Sequence, residues 1–142
     1  MPTESAQQAL SILRDGSQFQ WYVIPLFALV VYVYAVEVER RNWNLLFAGL
    51  AFWGMDWFNE IWNALVFHFT NHAPVWGAPG QTAYLILIGL NIEICFMFAI
   101  AGIAFGKMLP ADWKLKILGI PNRPLIAVVG AAFCVFVEVL LN

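Results

Sequence analysis

The stretch GMDWFNEIWNALVFHFTNH, residues 54–72, decides how this chain can fold. It is as apolar as a membrane span, yet it contains two acids, Asp56 and Glu60, and it has no lysine or arginine. Of its two amides, Asn59 lies between the acids and Asn63 lies beyond them. On a helix, at about 100° per residue, the four side chains fall within one arc of about 100°. The pattern predicts a hydrophobic helix with one polar stripe that faces the interior of a bundle.

The composition indicates an integral membrane protein. Of its 142 residues, 62% are hydrophobic and 11% are charged, whereas soluble domains have about a quarter charged residues. The N-terminal residues lack the basic segment and short apolar run of a cleaved signal peptide. Cys95 and Cys134 lie in apolar runs at a spacing that matches no metal or redox motif, which predicts buried free thiols. The net charge of -2 argues against nucleic acid as a partner.

Four stretches approach the length of about 20 apolar residues that a helix needs to cross the hydrocarbon layer. They are residues 21–36, 44–69, 82–106 and 124–141. We therefore predict an all-α fold, a polytopic bundle of four transmembrane helices forming a single domain over residues 1–142. The chain would be an integral, multi-pass membrane protein, placed in the cytoplasmic membrane if the source is prokaryotic. In the third loop, the segment ADWKLKIL, residues 111–118, suggests a short helix at the interface.

The basic residues predict how these helices are oriented. Arg40 and Arg41 lie in the first loop, Lys107, Lys114, Lys116 and Arg123 lie in or beside the third loop, and the second loop has none. By the positive-inside rule, the first and third loops are cytoplasmic and the N- and C-termini are outside.

The buried acids are predicted to lie at one depth. Counted at 1.5 Å per residue from the cytoplasmic end of each span, Asp56, Glu60, Glu93 and Glu138 lie about 18–24 Å deep. A central acid costs about 2.5–3.5 kcal/mol on insertion scales, and the spans contain no basic partner. The acids must then be protonated, bind a cation or face a water-filled pocket. The alternative is a structural network in which neutral carboxyls and amides hold helices together.

These observations assign candidate roles to nine residues. The catalytic candidates are Asp56, Glu60, Glu93 and Glu138, and the substrate-binding candidates are Trp53, Trp57, Asn59, Asn63 and Asn91. No cofactor is predicted. If a transition metal binds, the mixed set would be Glu60, His68, Glu93 and Glu138. His68 and His72 share a helix face, but both lie on one span, which excludes a haem held by histidines from two helices of this chain.

Several segments resemble the small integral-membrane terpene cyclases of meroterpenoid pathways. The resemblance covers the first three spans and rests on ERRNW (39–43), MDWFNE (55–60), GLNIEICFMF (89–98) and LPADW (109–113). In that family an intramembrane acid protonates an epoxide or alkene, and a polyprenyl chain then cyclises. The resemblance implies that Asp56 or Glu60 is this acid.

The leading functional hypothesis is a membrane-embedded enzyme of the cyclase or isomerase type that acts on an isoprenoid or other lipid substrate by acid–base chemistry. Its expected partners are the lipid bilayer and a lipophilic small molecule. One alternative is a proton- or cation-translocating protein, because acids deep in spans also mark ion pathways. Another is a small subunit of a larger membrane complex, suggested by the apolar end CVFVEVLLN, residues 134–142. A homo- or hetero-oligomer would form through the third and fourth spans, where Gly102 and Gly106 indicate close helix contact.

Overall fold

The structure is a computed structural model that describes residues 1–141, except for the side chains of Glu138 and Leu141. This part of the chain is mainly helical. Its helices are α1 (Glu4–Ile12), α2 (Val23–Glu39), α3 (Trp43–Thr70), α4 (Ile92–Met108) and α5 (Asn122–Leu141). Two short antiparallel hairpins precede α4 and α5: β1 (Leu85–Leu87) pairs with β2 (Leu90–Asn91), and β3 (Lys116–Ile117) pairs with β4 (Ile120–Pro121). A 3₁₀ turn at Gly16–Gln18 joins α1 to α2.

Helix α3 is the longest element and carries the polar stripe that the sequence predicts. Its buried residues are Leu46, Gly49, Asp56, Glu60 and Asn63, which recur at intervals of three, four and seven residues. This spacing places them on one face, with the polar members between the middle of the helix and its C-terminal third. The helix ends where Asn71 adopts a left-handed conformation and its N–H donates to the carbonyl of Phe67.

Helix α4 packs against both α2 and α3, and small residues make the contact with α3 close. A Cβ atom on Gly102 would lie 2.9 Å from the carbonyl oxygen of Gly49, so the two backbones nearly touch. The hydroxyl of Tyr34 in α2 donates to the carbonyl of Ala99 in α4 at 3.0 Å. Gly102 and Gly106 therefore serve a helix contact inside this chain.

The predicted third helix begins ten residues too early. Residues 82–106 are not one helix, because 82–91 form a loop and the β1–β2 hairpin. The side chain of Asn91 accepts a hydrogen bond from the N–H of Ile94 at 2.8 Å and so caps the start of α4. A short apolar run such as LILIGL fits a strand as well as a helix, and Gly89 in the turn favours the hairpin.

The prediction of four transmembrane helices, and with it the multi-pass topology, is wrong. Within residues 1–141, no helix combines the length and the apolar character that crossing a bilayer requires. The 17 residues of α2 and of α4 extend about 26 Å each, less than the hydrocarbon thickness of about 30 Å. Helix α3 is long enough, but its acids and amides reduce its apolar character. The assignment of both termini to the outside depended on these spans, so it is no longer supported.

The ends of the helices form two different surfaces. At one end, the C-terminal ends of α2 and α4 meet, because Lys107 Nζ in α4 lies 2.5 Å from Glu37 Oε1 in α2. We call this the basic end, since it contains six of the seven lysines and arginines, namely Arg40, Arg41, Lys107, Lys114, Lys116 and Arg123. At the other end, Thr3 at the start of α1 donates its N–H to the carbonyl of His72 in the loop that follows α3. The expected interfacial helix at 111–118 is instead a turn followed by β3.

Candidate functional site

A groove of about 720 Å³ runs between α3, α4 and α5 and is the strongest candidate for a binding site. Most of its lining is apolar, and its polar side chains come from the stripe on α3. The lining residues are Phe52, Met55, Asp56, Asn59, Glu60, Trp76, Gly77, Phe98, Ala131, Cys134, Val135 and Val139. The volume lies within the range of about 300–1,000 Å³ that is usual for small-molecule pockets.

Asp56 and Glu60 form the acidic floor of this groove. They lie one helical turn apart on α3, and their exposed fractions are only 6% and 2%. The indole Nε1–H of Trp76 donates to Glu60 Oε1 at 2.7 Å. Because this hydrogen bond fixes the carboxyl group beside an apolar wall, Glu60 has a defined orientation toward whatever occupies the groove. Asn59 is exposed and lies at the edge of the same groove.

Asn63 fixes the loop that carries Trp76. Its Oδ1 accepts from the N–H groups of Val75 at 2.7 Å and Trp76 at 3.3 Å, and its Nδ2 donates to the carbonyl of Trp76 at 2.8 Å. We call these three hydrogen bonds the loop clamp. Gly89 in the β1–β2 turn packs against it, since a Cβ at this position would lie 2.6 Å from Asn63 Nδ2. Asn63 therefore positions Trp76, which in turn holds Glu60.

Glu93 lies at a different place and does not line the groove. Its carboxylate accepts hydrogen bonds from the hydroxyl of Tyr22, from the hydroxyl of Thr82 at 2.5 Å and from the N–H of Ala83 at 2.9 Å. Burial acts to raise the pKa of Glu93, but the hydrogen bonds from Ala83, Thr82 and Tyr22 outweigh it and lower that pKa. Glu93 thus joins Tyr22 before α2, the loop before β1 and the start of α4, and it does not share the groove with Asp56 and Glu60.

The other predicted substrate-binding residues also lie elsewhere. Trp53 and Trp57 pack against the apolar cluster of Leu90, Ile94 and Cys95 between α3 and α4 rather than against the groove. Trp53 Nε1 donates to Cys95 Sγ at 3.4 Å, and burial raises the pKa of this thiol. Asn91 caps α4, as described above.

The predicted mixed metal set does not assemble from the described residues. His68 is exposed and its ring lies against Phe69 at 5.4 Å, while Glu93 is held by its own three donors. Glu138 belongs to α5, but its side chain is outside the described residues. Within that described part, no three histidine, cysteine, aspartate or glutamate side chains come together as metal ligands. Cys95 and Cys134 are both buried thiols and are not joined in a disulfide, which confirms the prediction made for them.

Two residues have structural roles that the sequence pattern does not predict. The contact of Trp76 with Glu60 spans 16 residues, so no helical spacing reveals it. The surrounding segment APVWGAPG, residues 73–80, was the available signal, because its prolines and glycines allow the loop to fold back over α3. Glu37 is the second case. It is 1% exposed and pairs with Lys107 and Asn42.

Comparison with known proteins places the chain in a family. A family model described as an uncharacterized membrane protein family matches residues 3–142, and the chain belongs to this family. An uncharacterized protein of Archaeoglobus fulgidus is 67% identical over 142 residues, which is 100% of this chain and 67% of that protein. No solved structure matches the chain. The family description supports association with a membrane. It gives no support to the terpene cyclase-like description or to a multi-pass topology.

Proposed function

We propose that the groove binds a lipophilic molecule and that Asp56 and Glu60 transfer protons to and from it, which would make this a membrane-associated enzyme of the isomerase type. One observation carries the proposal: two buried acids form the floor of a groove whose remaining walls are largely apolar. Apolar walls select an isoprenoid or acyl chain, and they exclude the water that would compete for protons.

The two acids are suited to different roles. Two carboxylates one turn apart repel each other when both are charged, which favours a pair with one proton between them. The hydrogen bond from Trp76 stabilises the charged form of Glu60, so Glu60 is the base and Asp56 the proton donor. In an isomerisation, Asp56 protonates one carbon of an alkene, which leaves a cation on the other carbon of the double bond. Glu60 then removes a proton from the next carbon along the chain, so that the double bond moves by one position. The product then has the same atoms as the substrate. Asp56 ends without a proton and Glu60 ends with one, so their protonation states are exchanged.

Solvent deuterium tests this proposal whatever the identity of the substrate. The purified chain, in mild detergent with a polar and neutral lipid extract, is incubated in D₂O, and the lipids are analysed by mass spectrometry. A lipid that gains deuterium at carbon identifies the substrate. Asp56→Asn and Glu60→Gln should each lower this incorporation by about 10²–10⁴-fold, the usual contribution of a general acid or base.

Matched controls separate the groove from the rest of the surface. Glu39→Gln removes an exposed acid outside the groove and should leave incorporation unchanged. Ala131→Trp fills the groove, whereas Ala132→Trp adds the same bulk on the neighbouring residue, which does not line it. Incorporation should fall in the first and persist in the second. Normal incorporation in both Asp56→Asn and Glu60→Gln, with both proteins folded, would end the proposal.

The other functional hypotheses have weaker support. The buried or partly buried acids of the described chain lie in three separate places. Asp56 and Glu60 lie in the groove, whereas Glu93 and Glu37 lie elsewhere and each has its own donors. This arrangement does not favour a continuous proton or cation path. The exposed apolar side chains of α2, including Phe27 and Tyr32, suit contact with lipid or with another membrane subunit.

A further inference from the structure

The β3–β4 hairpin has an unusual tip. Ile117 pairs with Ile120 across the two-residue turn Leu118–Gly119, and both turn residues have positive φ angles, 54° and 79°. Such a type I′ turn favours Asn–Gly, because a left-handed backbone is unfavourable for a leucine. The side chain of Leu118 is nevertheless 93% exposed, so it makes little contact within the chain that would explain its presence. An exposed leucine in a disfavoured backbone conformation points to a role outside the fold.

The hairpin is held firmly by the start of α5. Asn122 is fully buried, and its Nδ2 donates to the carbonyl of Asp112 at 2.7 Å. Its backbone N–H donates to the carbonyl of Leu115 at 3.1 Å. This frame presents further apolar side chains beside the tip, including Trp113, which is 65% exposed. The exposed apolar side chains are therefore held in place by these hydrogen bonds.

Positive charge surrounds this apolar tip. Lys114, Lys116 and Arg123 belong to the hairpin region, and the other basic residues of the basic end lie on the adjoining helix ends. Three acids lie at the same end. Glu37 is buried against Lys107, Asp112 accepts from the N–H of Lys114 at 2.9 Å, and Glu39 is exposed. Six basic residues against three acids leave a net positive surface of about +3.

We propose that the β3–β4 hairpin docks on the surface of an anionic bilayer. Leu118 and Trp113 enter the interfacial region of the membrane, and Lys114, Lys116 and Arg123 contact the anionic lipid headgroups. An aromatic ring with an exposed aliphatic tip suits the interfacial region, and a basic cluster beside it is attracted to anionic lipid. The docking surface lies at the basic end and does not depend on the activity of the groove.

Lipid-specific quenching tests this docking in the full chain. A fluorophore is attached at Ile120→Cys in the hairpin or, as the control, at Gln81→Cys near the opposite end; Cys95 and Cys134 are buried. The protein is mixed with vesicles that contain nitroxide-labelled phosphatidylglycerol or nitroxide-labelled phosphatidylcholine at equal mole fraction. The hairpin probe should be quenched more strongly by the anionic lipid, and 1 M salt should reduce the difference. The probe at position 81 should show no headgroup preference.

Substitutions identify the groups responsible. Lys114→Gln with Lys116→Gln should lower the enrichment of the anionic lipid around the hairpin probe by up to about 25-fold. Each basic residue is expected to contribute a factor of about five to this enrichment. The control pair Gln8→Glu with Gln20→Glu makes the same change in net charge at the other end and should keep the preference. Leu118→Asn should reduce quenching in both kinds of vesicle while the melting temperature stays equal or rises, because asparagine suits the turn. Equal quenching by the two lipids, or a preference that survives Lys114→Gln with Lys116→Gln, would overturn the proposal.

Discussion

Replacing Asn63 by alanine should strongly destabilise the protein and loosen the candidate site. The side chain of Asn63 is fully buried and makes three hydrogen bonds to the backbone of Val75 and Trp76. Each such bond contributes about 0.5–1.5 kcal/mol, and backbone groups that stay buried without a partner cost more. We expect a loss of about 3 kcal/mol in the free energy of unfolding, which corresponds to a fall of roughly 10 °C in melting temperature for a chain of this size.

The measurement is thermal and denaturant unfolding in mild detergent, followed by circular dichroism. Asn59→Ala is the matched control, because it removes the same side chain one turn earlier on α3 from an exposed position. Such a change should stay within about 0.5 kcal/mol of the parent. A second readout is the contribution of Trp76 to the fluorescence of the seven tryptophans, obtained by difference from Trp76→Phe, which should shift when its loop is released from Asn63 and Glu60. If Asn63→Ala unfolds at the same temperature as Asn59→Ala, the loop clamp described here is wrong.

Two further substitutions test other parts of the structure. Gly89→Ala should destabilise by about 1–3 kcal/mol, because its Cβ would lie 2.6 Å from Asn63 Nδ2, whereas Gly54→Ala meets nothing within 4 Å and should be neutral or stabilising in thermal unfolding. The hydrogen bond from Lys107 lowers the pKa of Glu37 below its ordinary value of 4.5, against the opposing effect of burial. Its contribution to stability is therefore complete above about pH 4.5 and is lost as the pH falls below it. Melting temperatures measured from pH 7 to pH 3 should decline less in Lys107→Gln than in the parent, and identical declines would contradict the ion pair.

The sequence predicts the long helices well because their signals are local. Helices α2, α3 and α5 begin and end within three residues of the predicted segments, since apolar runs bounded by charged, proline and glycine residues define them. The start of α4 was wrong because the run at 85–90 is short and can form either a strand or a helix. Asn91 falls within the predicted third span for the same reason, but it lies in β2 and caps α4, whereas Glu93 is the second residue of α4.

The candidate site was predictable only where it follows helical spacing. Asp56, Glu60 and Asn63 recur at i, i+4 and i+7 on α3, and they do share a buried face. The contact between Trp76 and Glu60 depends on how the loop 71–80 folds back, which no periodicity encodes. Trp57 adjoins Asp56 in sequence but faces the α4 side, because neighbours on a helix point about 100° apart. Trp53 faces the same side, where its Nε1 donates to Cys95 Sγ.

The most direct test of the central claim is to locate a bound lipophile by photo-crosslinking. An isoprenoid that carries a diazirine is bound to the purified chain, irradiated and mapped by mass spectrometry in the parent, Ala131→Trp and Ala132→Trp. We expect adducts on Met55, Phe98 and Val135, with a large loss in Ala131→Trp and retention in Ala132→Trp. Adducts confined to the exposed face of α2, unaffected by either substitution, would contradict a functional groove above Asp56 and Glu60.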